Sequence, residues 1–136
     1  MIHPEAIIPK KANQTDAGFD VFVPVRTMVP PKRTTLVKTG FAVAVPEGYE
    51  LQVRSKSGLA LNLHTVVAQG IGTIDSDYRG EVGILLWNRN SIGVEFGAGE
   101  KIAQLVLCKL PDAEFEEVEE LNDTSRGEGG FGSTGK

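Results

Sequence analysis

The segment Thr34-Thr-Leu-Val-Lys-Thr-Gly-Phe-Ala-Val-Ala-Val-Pro-Glu-Gly-Tyr-Glu-Leu-Gln-Val-Arg54 decides the fold class. It holds three short runs rich in Val, Thr and aromatic residues, separated by Gly and Pro, over residues 34–38, 41–45 and 49–54. β-Branched and aromatic residues favour strands, whereas Gly and Pro mark the turns between them. No helical period runs through the segment. It therefore predicts three consecutive strands.

The same texture continues on both sides of this segment. Turn residues recur at roughly the 8–12-residue spacing that is typical of sandwiches and barrels. A single short helical turn is predicted at Ser57–Asn62. Further strands are predicted at Phe19–Val25, Thr65–Ala68, Gly80–Asn88, Ile92–Phe96 and Lys101–Lys109. The pattern indicates an all-β domain built as a sandwich, barrel or jelly roll.

Composition narrows the class of protein. The chain has 136 residues, 40% of them hydrophobic, and a net charge of −4. These values indicate one globular domain. We expect no stable nucleic-acid partner, because nucleic-acid binders are usually basic. We expect no membrane partner either, because no stretch approaches the ~20 apolar residues of a membrane helix. The single Cys108 excludes an internal disulfide and is consistent with a reducing compartment, so we predict a cytoplasmic location, or a nuclear or organellar one in a eukaryote. Because Cys108 lies in an apolar run, we expect a buried, inert thiol.

Metal-ligand residues are sparse. His3 and His64 are far apart in the sequence, and with a single Cys they form no zinc motif. Any metal is therefore expected to be a hard cation such as Mg²⁺, bound mainly through ligand oxygens.

The C-terminal run Arg126-Gly-Glu-Gly-Gly-Phe-Gly-Ser-Thr-Gly135 combines glycines with groups that suit a nucleotide. Arg126 offers a planar fork for phosphate, Phe131 a stacking face, and the glycine N–H groups an anion-binding nest. A loose Gly/Ser-rich tail without a role explains the run equally well when it is taken alone.

A second glycine-rich run, Gly70-Ile-Gly-Thr-Ile-Asp-Ser-Asp-Tyr-Arg-Gly-Glu-Val-Gly83, predicts a β-hairpin with Asp75, Asp77 and Tyr78 at its tip. Glycines beside such a tip let a flat ligand lie against bare backbone. An ordinary polar hairpin is the alternative interpretation of this run.

Three further clusters carry polar groups that suit a site. Arg54-Ser-Lys-Ser57 precedes the helical turn and offers cations and hydroxyls to an anion, although a capped surface turn accounts for it too. Asp20 enters a strand and either closes a turn or orients a magnesium-bound water. Gln104 lies among apolar residues and, if buried, needs hydrogen-bond partners in a core network or a site water.

Together, these elements resemble the trimeric dUTP diphosphatase (dUTPase) family from about Asp16 to Gly135. The runs Gly-Thr-Ile-Asp-Ser-Asp-Tyr-Arg-Gly-Glu and Arg-Gly-Glu-Gly-Gly-Phe-Gly-Ser-Thr-Gly carry most of the resemblance. It implies hydrolysis of dUTP to dUMP and pyrophosphate, which limits uracil in DNA and supplies dUMP for dTMP synthesis.

The resemblance also implies roles for single residues. Asp75 activates the water that attacks the α-phosphorus, and Tyr78 excludes a ribose 2′-hydroxyl. Asp20 acts on Mg²⁺ indirectly through water, with the metal held mainly by substrate phosphates. The remaining substrate-binding residues implied are Lys56, Ser57, Gly58, Gln69, Gly72, Thr73, Ile74, Gly83, Gln104, Arg126, Phe131, Gly132, Ser133 and Thr134.

The family fold is a jelly-roll-like distorted β-barrel, assembled as a homotrimer whose active sites are shared between subunits. The resemblance thus implies a barrel domain over residues 1–121 and a flexible arm over residues 122–136 that closes a neighbouring site. This chain departs from the family at Lys56, where Arg is usual, and at Gln69, where many members have Asn. A dCTP deaminase-like enzyme and a non-catalytic nucleotide-sensing module on the same barrel are the alternatives.

Overall fold

The computed structural model describes residues 2–131, and within this range it is all-β with one short helix, as predicted. The elements are β1 Phe19–Phe22, β2 Thr27–Val29, β3 Thr34–Ala42, β4 Tyr49–Arg54, α1 Ser57–Asn62, β5 Thr65–Val67, β6 Ile71–Ile74, β7 Glu81–Asn88, β8 Val94–Phe96 and β9 Lys101–Lys109.

The strands form three antiparallel sheets. Their orders are β1-β9-β4-β6, β2-β8 and β3-β7-β5. Alternation along β7 shows how the core is built: Val82, Ile84 and Leu86 are buried, whereas Leu85 and Trp87 between them face outward. Branched side chains of this kind from all three sheets pack into one apolar core.

Two strands were missed by the sequence analysis and two predicted strands merge. The short strands β2 and β6 are absent from the predicted strands, although the predicted hairpin over residues 70–83 places extended chain before its tip. The predicted run 34–38 and the first two residues of the run 41–45 are joined in β3, and residues 43–45 lie outside it. Gly40 adopts a φ of +75°, and a register shift between Lys38 and Ala42 lets the strand continue through the glycine. The predicted bounds of β4, α1 and β9 are confirmed.

The predicted hairpin between residues 70 and 83 is wrong. β6 pairs with β4, whereas β7 pairs with β3 and β5, so the connection crosses from one sheet to another. The turn residues were read correctly, since the N–H of Tyr78 donates to the carbonyl of Asp75. The sheets to which β6 and β7 belong were predicted wrongly, because sheet membership depends on pairing with strands that are distant in the sequence.

Beyond β9 the chain has no regular secondary structure as far as residue 131, where the description ends. This segment is largely exposed, and the side chain of Phe115 in it is fully in solvent. Cys108, predicted to be buried, is half-buried, because it lies on the outer face of β9 beside the Arg54 guanidinium. Among the described residues no helix has the length and apolar character needed to cross a bilayer.

Candidate active site

A cleft of about 200 Å³ opens where the chain crosses between sheets. It is lined by Thr73, Ile74, Asp75, Tyr78, Val82 and Gly83. On one side is β6, the edge strand of its sheet. On the other is the start of β7, beyond the last residue that β5 pairs with, Leu86. The two strand edges therefore face each other across a gap, and no backbone pairing joins β6 to β7 among the described residues. The N–H and C=O groups on these edges are available to a flat polar ligand.

Tyr78 is held against the mouth of this cleft by its neighbours. Its hydroxyl donates to the carbonyl of Glu81 at 3.0 Å, and its ring lies over Gly80. A Cβ on residue 80 would overlap the ring and hydroxyl, so glycine is required there for the ring to take this position. The side chain remains 45% exposed and can therefore contact a ligand.

Gly72 and Gly83 lie on the two strands that flank the cleft, and both are positions where a side chain would be crowded. A Cβ on Gly72 would lie 2.9 Å from Nε2 of Gln69, whose side chain folds over that glycine. A Cβ on Gly83 would lie 2.5 Å from the side chain of Leu36. Of the predicted residues, Thr73, Ile74, Asp75, Tyr78 and Gly83 line one cleft, whereas Gly72 and Gln69 lie beside it.

The predicted phosphate-binding segment lies at the end of β4. Lys56 has extended backbone and stands directly before α1, which begins with the exposed residues Ser57 and Gly58. Ser55 fixes the segment from two sides: its hydroxyl accepts the N–H of Val67 at 2.8 Å, and its carbonyl accepts Nε2 of Gln104 at 3.1 Å. Gln104 therefore has the partner that a half-buried amide needs.

Asp20 joins this cluster as a buried carboxylate, 6% exposed, between two lysines. Its Oδ1 accepts from Nζ of Lys56, and its Oδ2 lies 2.7 Å from Nζ of Lys101. Burial by itself would raise the pKa of the Asp20 carboxyl. The hydrogen bonds and charges of Lys101 and Lys56 outweigh that effect and bring the pKa below its ordinary value of 3.8.

Lys101 was not predicted as a site residue, and a β-bulge explains why. Asp20 pairs with Gln104 and Val21 with Ala103, but Phe22 pairs with Lys101, so one residue of β9 is skipped. Ile102 and Ala103 are both buried as a result, and Lys101 comes out on the same face as Asp20 and Gln104. Strict alternation would have turned Lys101 toward the core.

Gly18 makes room for Gln104. A Cβ on residue 18 would overlap Oε1 of that amide, so the close approach of the β1 entry to β9 needs a residue without a side chain. The glycine before β1 and the amide on β9 thus determine each other's position. This requirement lies in long-range strand pairing and has no local sequence signal.

The predicted arm residues do not join either group within one chain. Arg126 is exposed, and its Nε donates to the carbonyl of Gly129, inside the arm itself. Phe131 is fully exposed. Gly132, Ser133 and Thr134 lie outside the described residues.

The cleft and the phosphate-binding segment are also apart in a single chain. Leu51 pairs with Ile74, next to Asp75, whereas Arg54 pairs with Ile71 at the other end of β6. Three residue spacings of about 3.3 Å each separate these ends by about 10 Å along the strand. The cleft and the phosphate-binding segment are thus two separate groups at opposite ends of the β4-β6 pair.

The described residues contain no group of three or more His, Cys, Asp or Glu side chains placed to hold a metal. A cation that arrives with a triphosphate needs no such group, because phosphate oxygens and water supply the ligands of Mg²⁺ in nucleotide sites. Asp20 also keeps acceptor capacity for a metal-bound water, since a carboxylate offers about four lone-pair sites and the lysines use two.

Comparison with known proteins gives the family. The dUTPase family model matches residues 4–135. A deoxyuridine 5'-triphosphate nucleotidohydrolase from Helicobacter pylori (strain Shi470) is 48% identical over 134 residues, which are 98% of this chain and 92% of the relative. The chain therefore belongs to the dUTPase family.

Solved structures agree with this assignment. Staphylococcus bacteriophage 80alpha dUTPase with dUPNHPP has a TM-score of 0.90 and 30% identity, covering 100% of this chain and 96% of that one. A mutant dUTPase from phage phi11 of S. aureus, whose structure details the coordination of a structural Mg(II) ion, has a TM-score of 0.79 and 28% identity, with 88% and 94% covered. The protein is a dUTP diphosphatase, an enzyme that hydrolyses dUTP.

Proposed function

We propose that the cleft between β6 and β7 binds the deoxyuridine of dUTP and that Asp75 activates the water that attacks the α-phosphorus. The observation that carries this proposal is the pair of facing strand edges, with Asp75 at the end of one and Tyr78 at the mouth. Uracil is flat and has alternating donors and acceptors, so it suits main-chain recognition between two such edges.

The reaction then proceeds by direct hydrolysis. Asp75 accepts a proton from the water while the water oxygen bonds to the α-phosphorus, and pyrophosphate leaves to give dUMP. General-base assistance of this kind needs only an acceptor within hydrogen-bond reach of the water. Tyr78, fixed over Gly80, lies in this proposal against the deoxyribose and leaves no space for a 2′-hydroxyl.

Charge on the triphosphate is met by the cluster after β4. Lys56, Ser57 and Gly58 bind phosphate oxygens, and Gln104 and Asp20 hold the water network around the metal. Mg²⁺, when bound, would supply positive charge that offsets the negative charge of the phosphates. Lys56 replaces the Arg usual in the family, so it acts as a compact point charge without the bidentate fork of a guanidinium.

Because Arg126 and Phe131 of the arm are exposed and join neither group in one chain, we propose that three copies share the site. The three sheets form the jelly-roll-like barrel of the family, residues 1–121, and the arm from residue 122 closes a neighbour's site. An exposed apolar face supports assembly: Leu36 pairs with Leu85 on the outside of the β3-β7-β5 sheet, beside Trp87. A sheet face with such side chains needs a cover.

Pyrophosphate release from dUTP, UTP, dTTP and dCTP, with and without Mg²⁺, tests the substrate. We expect strong preference for dUTP and a lower rate without the metal. Ammonia release from dCTP would instead support a deaminase.

Hydrolysis in ¹⁸O-labelled water tests the point of attack. We expect the label in dUMP, because the water oxygen joins the α-phosphorus. Label in pyrophosphate would contradict attack at that atom.

A further inference from the structure

Two lysines share one buried carboxylate at the start of the phosphate-binding cluster. Asp20 accepts a hydrogen bond from Nζ of Lys56 at Oδ1 and forms an ion pair with Nζ of Lys101 at Oδ2. Its backbone is fixed as well, because it pairs with Gln104 on β9 and exchanges two hydrogen bonds with Lys10 on its other side. The carboxylate is thus the stationary member of the cluster, and the group carries one net positive charge.

The two lysines differ in how they are attached. Lys101 begins β9 and is turned onto Asp20 by the bulge that pairs it with Phe22. Lys56 stands in the connection between β4 and α1. A lysine ammonium on a flexible four-carbon stem can pivot from one anion to another without moving the backbone.

A cost arises when Lys56 turns from Asp20 to a phosphate. A buried carboxylate that loses its partner keeps its desolvation penalty but loses the favourable interaction that offset it. Lys101 keeps Asp20 paired during that exchange, so the free-energy cost of moving Lys56 is smaller than it would be without Lys101.

We infer that Lys101 is a positioning residue that releases Lys56 to the triphosphate by holding Asp20. This inference rests on the proposed role of Lys56 in binding phosphate. Without Lys101, Asp20 has a single partner and retains Lys56 more strongly. Triphosphate binding is then weakened although Lys101 itself touches no phosphate.

Affinity for the non-hydrolysable analogue dUpNHpp with Mg²⁺, measured by titration calorimetry, tests this. We expect Lys101→Gln to raise the dissociation constant about tenfold, the scale of one lost charge-assisted hydrogen bond. Lys101→Arg, which keeps the charge, should stay close to the native value. Lys109→Gln, at the exposed far end of the same strand, is the matched control and should have no effect.

A double-variant cycle separates this mechanism from a merely structural role. When Asp20 is replaced by Asn, Lys56 no longer has to be released, so adding Lys101→Gln should change analogue affinity little. Binding of deoxyuridine, which has no phosphate, should be unaffected by Lys101→Gln. An equal loss in the Asp20→Asn background, or a parallel loss for deoxyuridine, would overturn the inference.

The remaining variants distinguish its failure from that of the proposed function. If Lys56→Gln leaves analogue affinity unchanged, the phosphate-binding role of Lys56 is wrong. If Lys56→Gln weakens binding but Lys101→Gln behaves like Lys109→Gln, that role stands and the inference about Lys101 fails. Lys101→Met, of similar length and without charge, replaces the Gln variant if the latter does not fold.

Discussion

Asp75 and Asp77 stand two residues apart in the same exposed turn, and the proposed mechanism gives them different tasks. Asp75 directly follows β6 and lines the cleft, whereas Asp77 does not line it. We expect Asp75→Asn to lower kcat by about 10³-fold, the usual scale for a general base, with little change in dUpNHpp affinity. Asp77→Asn is the control, and steady-state kinetics of both variants make the comparison. Near-native turnover in Asp75→Asn would exclude the assigned role.

The position of Tyr78 depends on the missing side chain at Gly80. Gly80→Ala should displace the ring, and Tyr78→Ala should remove it, so both should raise the activity on UTP relative to dUTP. Gly97→Ala is a suitable control, because a Cβ there would meet its neighbours at ordinary contact distance, 3.8 Å or more. Unchanged discrimination in both variants would assign sugar selection to other residues.

The lysine pair on Asp20 predicts a pH dependence of stability. The folded-state pKa of this carboxyl is lowered, so its contribution is complete above the unfolded-state pKa and is lost as the pH falls through the folded-state pKa. In urea unfolding at fixed chain concentration, between roughly pH 5 and pH 3, the native protein should lose stability more steeply than Asp20→Asn. Asp112→Asn, at an exposed position, should behave like the native protein. Equal slopes for the native protein and Asp20→Asn would show that the pair adds no acid-sensitive stability.

At the scale of elements, the arm is separate from the strands that form the core. No described strand lies beyond Lys109, and Arg126 and Phe131 are exposed. A chain ending at Asp123 should therefore keep its circular dichroism spectrum and its assembly while dUTP turnover falls severely. Full activity in this truncated chain would show that the arm is not needed for catalysis.

Residue patterns within a strand and at its ends were enough to predict the bounds of β4 and β9. Pro46 and Gly48 precede β4 and polar residues follow it, and Lys101 to Lys109 form an unbroken apolar-rich run, so both strands were predicted residue for residue. The turn that holds Asp75 and Tyr78 was predicted in the same way, because a turn is a local structure. Sheet membership, the bulge in β9 and the Gly18–Gln104 contact arise between residues far apart in the chain. That is why the hairpin was predicted wrongly and Lys101 was overlooked.

The whole molecule offers a test of shared sites. Asp75→Asn chains and chains ending at Asp123 should each be almost inactive when assembled alone. If each site takes its turn from one subunit and its arm from another, random assembly of an equal mixture should leave about one quarter of all sites intact, all of them in hybrid trimers. Co-refolding an equal mixture should then restore activity in that proportion. No recovery in a mixture shown to contain hybrid trimers would indicate that each site draws both parts from one chain.

The gap between β6 and β7 also has a mechanical consequence. In the proposed binding mode the base forms hydrogen bonds to both β6 and β7, which belong to different sheets and do not pair with each other. The bound nucleotide therefore links the two sheets mechanically, and its release removes that link. Occupied enzyme should then be stiffer along this seam than empty enzyme, with slower amide exchange at Thr73 and Gly83. Once pyrophosphate has left, dUMP can depart through a slight spreading of the walls, without the loss of any native strand pairing.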